Sequence, residues 1–199
     1  GTESKFDDTT ATAGAANLYW YRVLSLAANG TTVSNFSLSV PDSGWREVPP
    51  ATIVGRSLFY NNTYFGQTAA PDKQALLPGG TATFANYTSY DKGINGLYID
   101  IDNLPGTPTL NDFSFKVGNS NDTSTWTPAP APITLEIMSG QGVSSKTRLK
   151  FKWLNKAIVK TWLQVTVLAN NKTGLSQPDV FYFGNAVGES GDSAAHAIV

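Results

Sequence analysis

Along this chain apolar residues recur at every second position and almost nowhere at the three-to-four spacing of a helix. Gly, Pro, Asn and Asp punctuate the alternating runs, which specifies short strands joined by turns. In 97–101 the pattern sends Leu97, Ile99 and Ile101 inward and Tyr98 and Asp100 out. Phe113, Phe115 and Val117 repeat it, as do Leu149, Phe151 and Trp153. Strands are expected at 18–26, 31–40, 53–60, 81–87, 96–102, 111–117, 133–138, 147–153, 162–169 and 179–183. Short strands at this spacing predict an all-β fold: an antiparallel β-sandwich, jelly-roll or immunoglobulin-like. One helical turn is expected over 154–161, crossing an end of the sandwich. The prolines of 126–132 (WTPAPAP) remove ladder donors, so that stretch is expected at an edge or in a connector.

The 199 residues suit one domain of ordinary size or one domain plus a short attachment. The best internal break is 41–50 (PDSGWREVPP), giving an N-terminal segment over 1–42, a sandwich over 43–184 and a small-residue tail over 185–199. In the first segment 18–26 (LYWYRVLSL) is apolar on both faces. Asn29-Gly30 supplies a hairpin turn into 31–40. A lone hairpin of that kind is unstable in water, so it is expected to pack on the remainder or on another chain.

Composition removes several function classes. Fourteen Lys+Arg against fifteen Asp+Glu leave a net charge of −1, and no segment gathers either sign. Nucleic-acid affinity rests on clustered cations, so no nucleic-acid partner is expected. No apolar run reaches the roughly 18 residues of a membrane-spanning helix. Cysteine is absent, which excludes thiol nucleophiles, disulfides and Cys-bound zinc. The single histidine, His196, stands four residues from the end, a poor place to fix a catalytic imidazole. No GxGxxG, P-loop or GxSxG pattern occurs, and the chain is not expected to be an enzyme.

Binding residues are sought among aromatics that fall in loops. Trp45, Tyr60, Tyr64, Tyr87, Tyr90 and Trp126 lie in or beside predicted loops. Aromatic faces stack on the apolar CH faces of sugars, and neighbouring amides satisfy hydroxyls. Asn61, Asn62, Gln67, Asn86, Asp91 and Asn95 are such neighbours, which makes the loop pair 60–67 and 86–95 the expected ligand surface. Asp100, Asp102 and Asp112, with Asn103, are candidate oxygen ligands for a structural Ca²⁺ at a strand end, without the order of an EF-hand loop. Asn-x-Ser/Thr sequons stand at Asn29, Asn35, Asn61, Asn86, Asn121 and Asn171. Lys146, Arg148, Lys150 and Lys152 alternate on one strand and are expected to form a solvated face that resists edge association.

Two segments carry resemblances. Residues 6–40, with Tyr19, Tyr21, Arg22 and Val23 and then Ala27-Ala28-Asn29-Gly30, resemble the closing strands of a fibronectin type III domain. Over about 51–192, the phrases RSLFYNNTYF, DKQALLPGGTATFANYTSYDKGINGLYIDIDNLPG, DFSFKVGN, WLQVTVLANNKTGL and DVFYFGNAVGESGDS are similar to a module of very large secreted proteins of planctomycetes and related marine bacteria. There the module commonly precedes a dockerin-like calcium repeat. The resemblance implies a secreted or cell-surface setting and, by analogy with modules of such proteins, a polysaccharide or cell-surface glycan as partner. The expected function is a non-catalytic, extracellular carbohydrate-binding module. The alternative is a structural or adhesive subunit of a filament, surface layer or scaffold, joined to other protein chains by strand exchange.

Overall fold

The computed structural model describes residues 19–21, 42–44, 49–63 and 66–188. The chain divides into two compact units between Pro49 and Pro50, within the Pro-flanked stretch 41–50. In the first unit β1 (Tyr19–Tyr21) pairs antiparallel with β2 (Asp42–Gly44). The expected hairpin across Asn29-Gly30 lies outside the described residues.

The second unit is an all-β sandwich. One sheet contains β3 (Thr52–Leu58), β5 (Gly96–Asp102), β8 (Thr134–Met138) and β9 (Thr147–Lys152), in the order β3-β5-β9-β8. The other contains β4 (Tyr87–Thr88), β6 (Phe113–Gly118), β7 (Thr127–Pro128), β10 (Trp162–Val167) and β11 (Asp179–Asn185), in the order β4-β11-β10-β6-β7. Every pairing is antiparallel except that of β4 with β11. As its prolines require, β7 is a two-residue edge strand.

Alternation builds the core. Leu97, Ile99 and Ile101 from β5 meet Leu149, Phe151 and Trp153 on one inner face. Phe113, Leu163, Val165, Val167, Phe181 and Phe183 face them from the other sheet. Each fully buried side chain of this size contributes roughly 1.5–3 kcal/mol, so the two inner faces dominate the stability of the unit. At the margin of the sandwich the Arg56 guanidinium pairs with both carboxylate oxygens of Asp179, joining β3 to β11 across the two sheets.

Three expectations are corrected. Residues 154–161 form turns: Lys156 and Lys160 hold positive φ of 64° and 56°, which a right-handed helix excludes. Their backbone instead bonds the preceding loop, Lys156 N to the Lys92 carbonyl at 2.8 Å and Ile94 N to the Ile158 carbonyl at 2.9 Å. Residues 81–87 are not a strand, because the Asn86 side chain caps Thr83 and closes a 3-10 turn over Phe84–Asn86 before the short β4. Tyr98 and Asp100 do not face solvent, since Phe59 and Gln67 cover Tyr98 and the 139–146 connection covers Asp100; their exposures are 5% and 1%.

Candidate functional site

The expected loop pair does come together. Tyr60 and Tyr90 rings tilt against each other at 4.9 Å, and Thr88 Oγ1 donates to Tyr60 Oη at 3.0 Å. Burial raises the Tyr60 hydroxyl above the ordinary tyrosine range, the Thr88 bond opposing it. Tyr90 Oη donates to the Asn61 carbonyl at 3.1 Å. Asn95 is buried; its Nδ2 donates to the Asn61 carbonyl and to Asn155 Oδ1, both at 2.9 Å, while its Oδ1 accepts from Asn61 N. Asn86 is likewise buried, donating to the Gln74 carbonyl. These amides close two loops onto the sandwich and have little capacity left for a ligand. Tyr87 is also buried, edge-on to Phe84. Trp45 and Tyr64 lie outside the described residues.

Trp126 belongs to a different place. On the outer face of the five-stranded sheet, Trp162 of β10 sits in register between Gly118 of β6 and Gly184 of β11. Both cross-strand neighbours therefore lack side chains, and rings can lie against the backbone. A β-carbon on Gly184 would fall 3.1 Å from Trp162 ring atoms, and one on Gly118 would overlap the Trp126 ring. Trp126 reaches this position from the loop after β6, its Nε1 donating to the Ser120 carbonyl at 2.9 Å. It packs edge-on to Tyr182 at 5.8 Å. Gln164 Nε2 donates to Tyr182 Oη at 3.0 Å and steadies that ring.

Above these rings lies an open groove of about 410 Å³. One wall is the loop Asn119, Ser120, Asn121 and Thr123. The other is 76–82, held to the sheet where Leu76 and Tyr182 exchange backbone bonds at 3.0 and 2.9 Å. Its size falls within the roughly 300–1,000 Å³ typical of ligand sites. A second depression of about 300 Å³ adjoins it and shares Asn119 and Trp162. Trp162 and Tyr182 are absent from the sequence-based candidates because they sit in strands. The signal was present: each alternates with core residues, Trp162 with Leu163 and Tyr182 with Phe181 and Phe183, and so faces outward.

The three candidate metal ligands are not brought together. Arg148 donates from Nε and Nη2 to the two Asp100 oxygens at 2.7 and 2.8 Å, and Val143 N adds a third bond. The Asp100 pairing holds the Arg148 guanidinium above its ordinary pKa. Asp102 pairs with Lys146 at 2.9 Å. Asp112 caps Thr109, accepting from its N at 2.7 Å, and also accepts from Asn170 Nδ2. These bonds hold the Asp112 carboxyl below the ordinary range. Among the described residues no three His, Cys, Asp or Glu side chains cluster so as to hold a metal ion.

The alternating cations of β9 are a correction too. Lys150 is buried, and it and Lys152 share Glu136 at 3.4 and 2.6 Å; this lowers the Glu136 pKa. The face is a ladder of ion pairs because β5 and β8 place carboxylates opposite the cations. No helix among the described residues is long and apolar enough to cross a membrane. The chain matches no protein-family model, no curated protein and no solved structure.

Proposed function

We propose that the chain is a non-catalytic carbohydrate-binding module of a larger secreted or cell-surface protein, with the groove over Trp126, Trp162 and Tyr182 as its ligand site. The observation that carries this reading is the convergence of three rings from separate segments on one open face, beside the amides of Asn119 and Asn121. Flat rings take the CH faces of sugar units, and rim amides take hydroxyls. The Asn121 side chain bonds no described residue, so its amide is available to a ligand. The resemblance to modules of large secreted bacterial proteins supports the setting.

Affinity electrophoresis against a panel of polysaccharides, with calcium and again with EDTA, tests it. Retardation by at least one polymer is expected, and Trp162→Ala and Tyr182→Ala should each abolish it while keeping the wild-type melting profile. Unchanged mobility across the panel, or retardation that survives both substitutions, overturns the reading.

The adhesive alternative draws on one observation. β8 is a sheet edge, and Ile133 and Ile137 beside and within it are 53% and 39% exposed. An edge of that kind can add a strand from another chain. Sedimentation velocity tests it: growth of assemblies with concentration, blocked by Ile137→Lys, supports it, and a monomer at every concentration rejects it.

A further inference from the structure

We infer that the groove takes an uncharged glycan chain and that the adjoining depression is a second subsite for the same chain. This rests on the carbohydrate reading above and narrows it to a ligand class.

The first part follows from what lines the groove. Its walls and floor are Leu, Pro, Gly, Ala, Asn, Ser, Thr, Trp and Tyr, without one charged side chain, in a protein whose charged fraction is 15%. A sulfate or uronate entering the larger groove would leave water without a cation to receive it, which is costly; the adjoining depression has one charged residue in its lining, the exposed Lys160. An amino sugar would find no carboxylate. The acid nearest in sequence, Asp122, turns into its own loop: its Oδ1 accepts from Ser124 N at 3.0 Å and from Ser124 Oγ at 2.6 Å. Lys146 and the cations of β9, which would suit a sulfated polymer, lie on the other sheet and are matched by Asp102, Asp100 and Glu136. Sugar hydroxyls, by contrast, need only neutral donors and acceptors, and the rim is made of these.

The second part follows from Trp162. Its ring borders both depressions, and Asn119 does the same. Asn119 Nδ2 donates to the Lys160 carbonyl at 3.1 Å, while Lys160 N donates to the buried Asn185 Oδ1 at 2.9 Å. The Lys160 backbone thus shapes the second depression. The Asn185 amide is spent on Lys160 N and on the Thr88 and Tyr90 carbonyls. A ligand stacked on Trp162 would reach Asn119 and Asn121 on the groove side and the exposed Lys160 on the other. That span suits consecutive units of one chain better than a single sugar.

The test is isothermal titration of the intact protein with two sets of polymers. The uncharged set is xylan, mannan, galactan and mixed-linkage glucan; the charged set is carrageenan, fucoidan and alginate. Binding by a member of the uncharged set is expected, lost at least about tenfold in Trp162→Ala, as for an aromatic hot spot. Its affinity should stay within about twofold between roughly 20 mM and 500 mM NaCl, because no exposed charge pair is there to be screened. A hexasaccharide of the same polymer should bind at least about tenfold tighter than the disaccharide, and Asn121→Ala should weaken it without altering the melting profile. Binding of a charged polymer that is lost in Trp162→Ala and falls steeply with salt overturns the uncharged class and leaves the groove reading standing. Equal affinity for disaccharide and hexasaccharide overturns the second subsite. Binding that Trp162→Ala leaves intact, or none by any polymer, overturns the groove reading and this inference with it.

Discussion

The two outer faces of the sandwich use the same strand geometry to opposite ends. On the four-stranded sheet, outward positions of β5, β8 and β9 carry Asp100, Asp102, Glu136, Arg148, Lys150 and Lys152, paired across strands and partly roofed by loops. On the five-stranded sheet, equivalent positions of β10 and β11 carry Trp162, Gln164, Tyr182 and Gly184, and an open groove lies above them. A charged face that is internally matched has little left to offer a partner. An aromatic face laid on glycine backbone keeps its rings and amides available. On the function proposed above, charge density is a poor guide to where this protein binds.

Substitutions should separate the faces, most strongly at Asp100. Its carboxylate side chain is only 2% exposed and is held by Arg148. Removing one partner of such a pair leaves a buried charge uncompensated, so Arg148→Ala should lower unfolding stability by about 3–5 kcal/mol. Urea unfolding near neutral pH measures this, and groove binding should survive in the fraction that stays folded. Gly118→Val comes next. Its side chain must push Trp126 off the sheet, with an expected loss of about 1–3 kcal/mol and of ligand binding together. Retained binding in that variant would break the claimed role of the flat rings.

Acid gives the smallest effect and sharpens the contrast. Asp112 and Glu136 have folded pKa values below their unfolded ones. Their contribution is full above the unfolded carboxylate values, about 4, and is lost as pH falls through the lower folded values. The urea midpoint should therefore drop as pH is taken from about 5 to about 2, and Glu136→Gln should flatten part of that slope. Affinity for the proposed ligand should not change between about pH 8 and about pH 5, because no His, Asp, Glu, Lys or Arg side chain lines the groove.

How much of this was legible in the sequence differs between core and site. The inner faces were, because Leu97, Ile99 and Ile101, or Leu149, Phe151 and Trp153, can satisfy an alternating pattern only by facing inward together. Strand 96–102 also has the expected limits. The outer faces were harder to read. A charged residue at an outward position looks solvated until its cross-strand partner is known, and for Arg148 and Lys150 the partners sit 48 and 14 positions away. The same long-range pairing hid the groove. Nothing local to Trp162 tells that Gly118 and Gly184 flank it, and loop membership drew the search to Tyr60 and Tyr90, whose polar groups are used to fasten loops.

The paired backbone bonds between Leu76 and Tyr182 have a kinetic consequence. They fasten one wall of the groove to a residue of its floor. A ligand of the proposed site would then meet that wall in place, which limits the chain entropy lost when it docks. If the groove takes a glycan as proposed, association should show a single bimolecular phase whose rate rises linearly with ligand concentration, and differences in affinity among glycans should lie in how fast they leave.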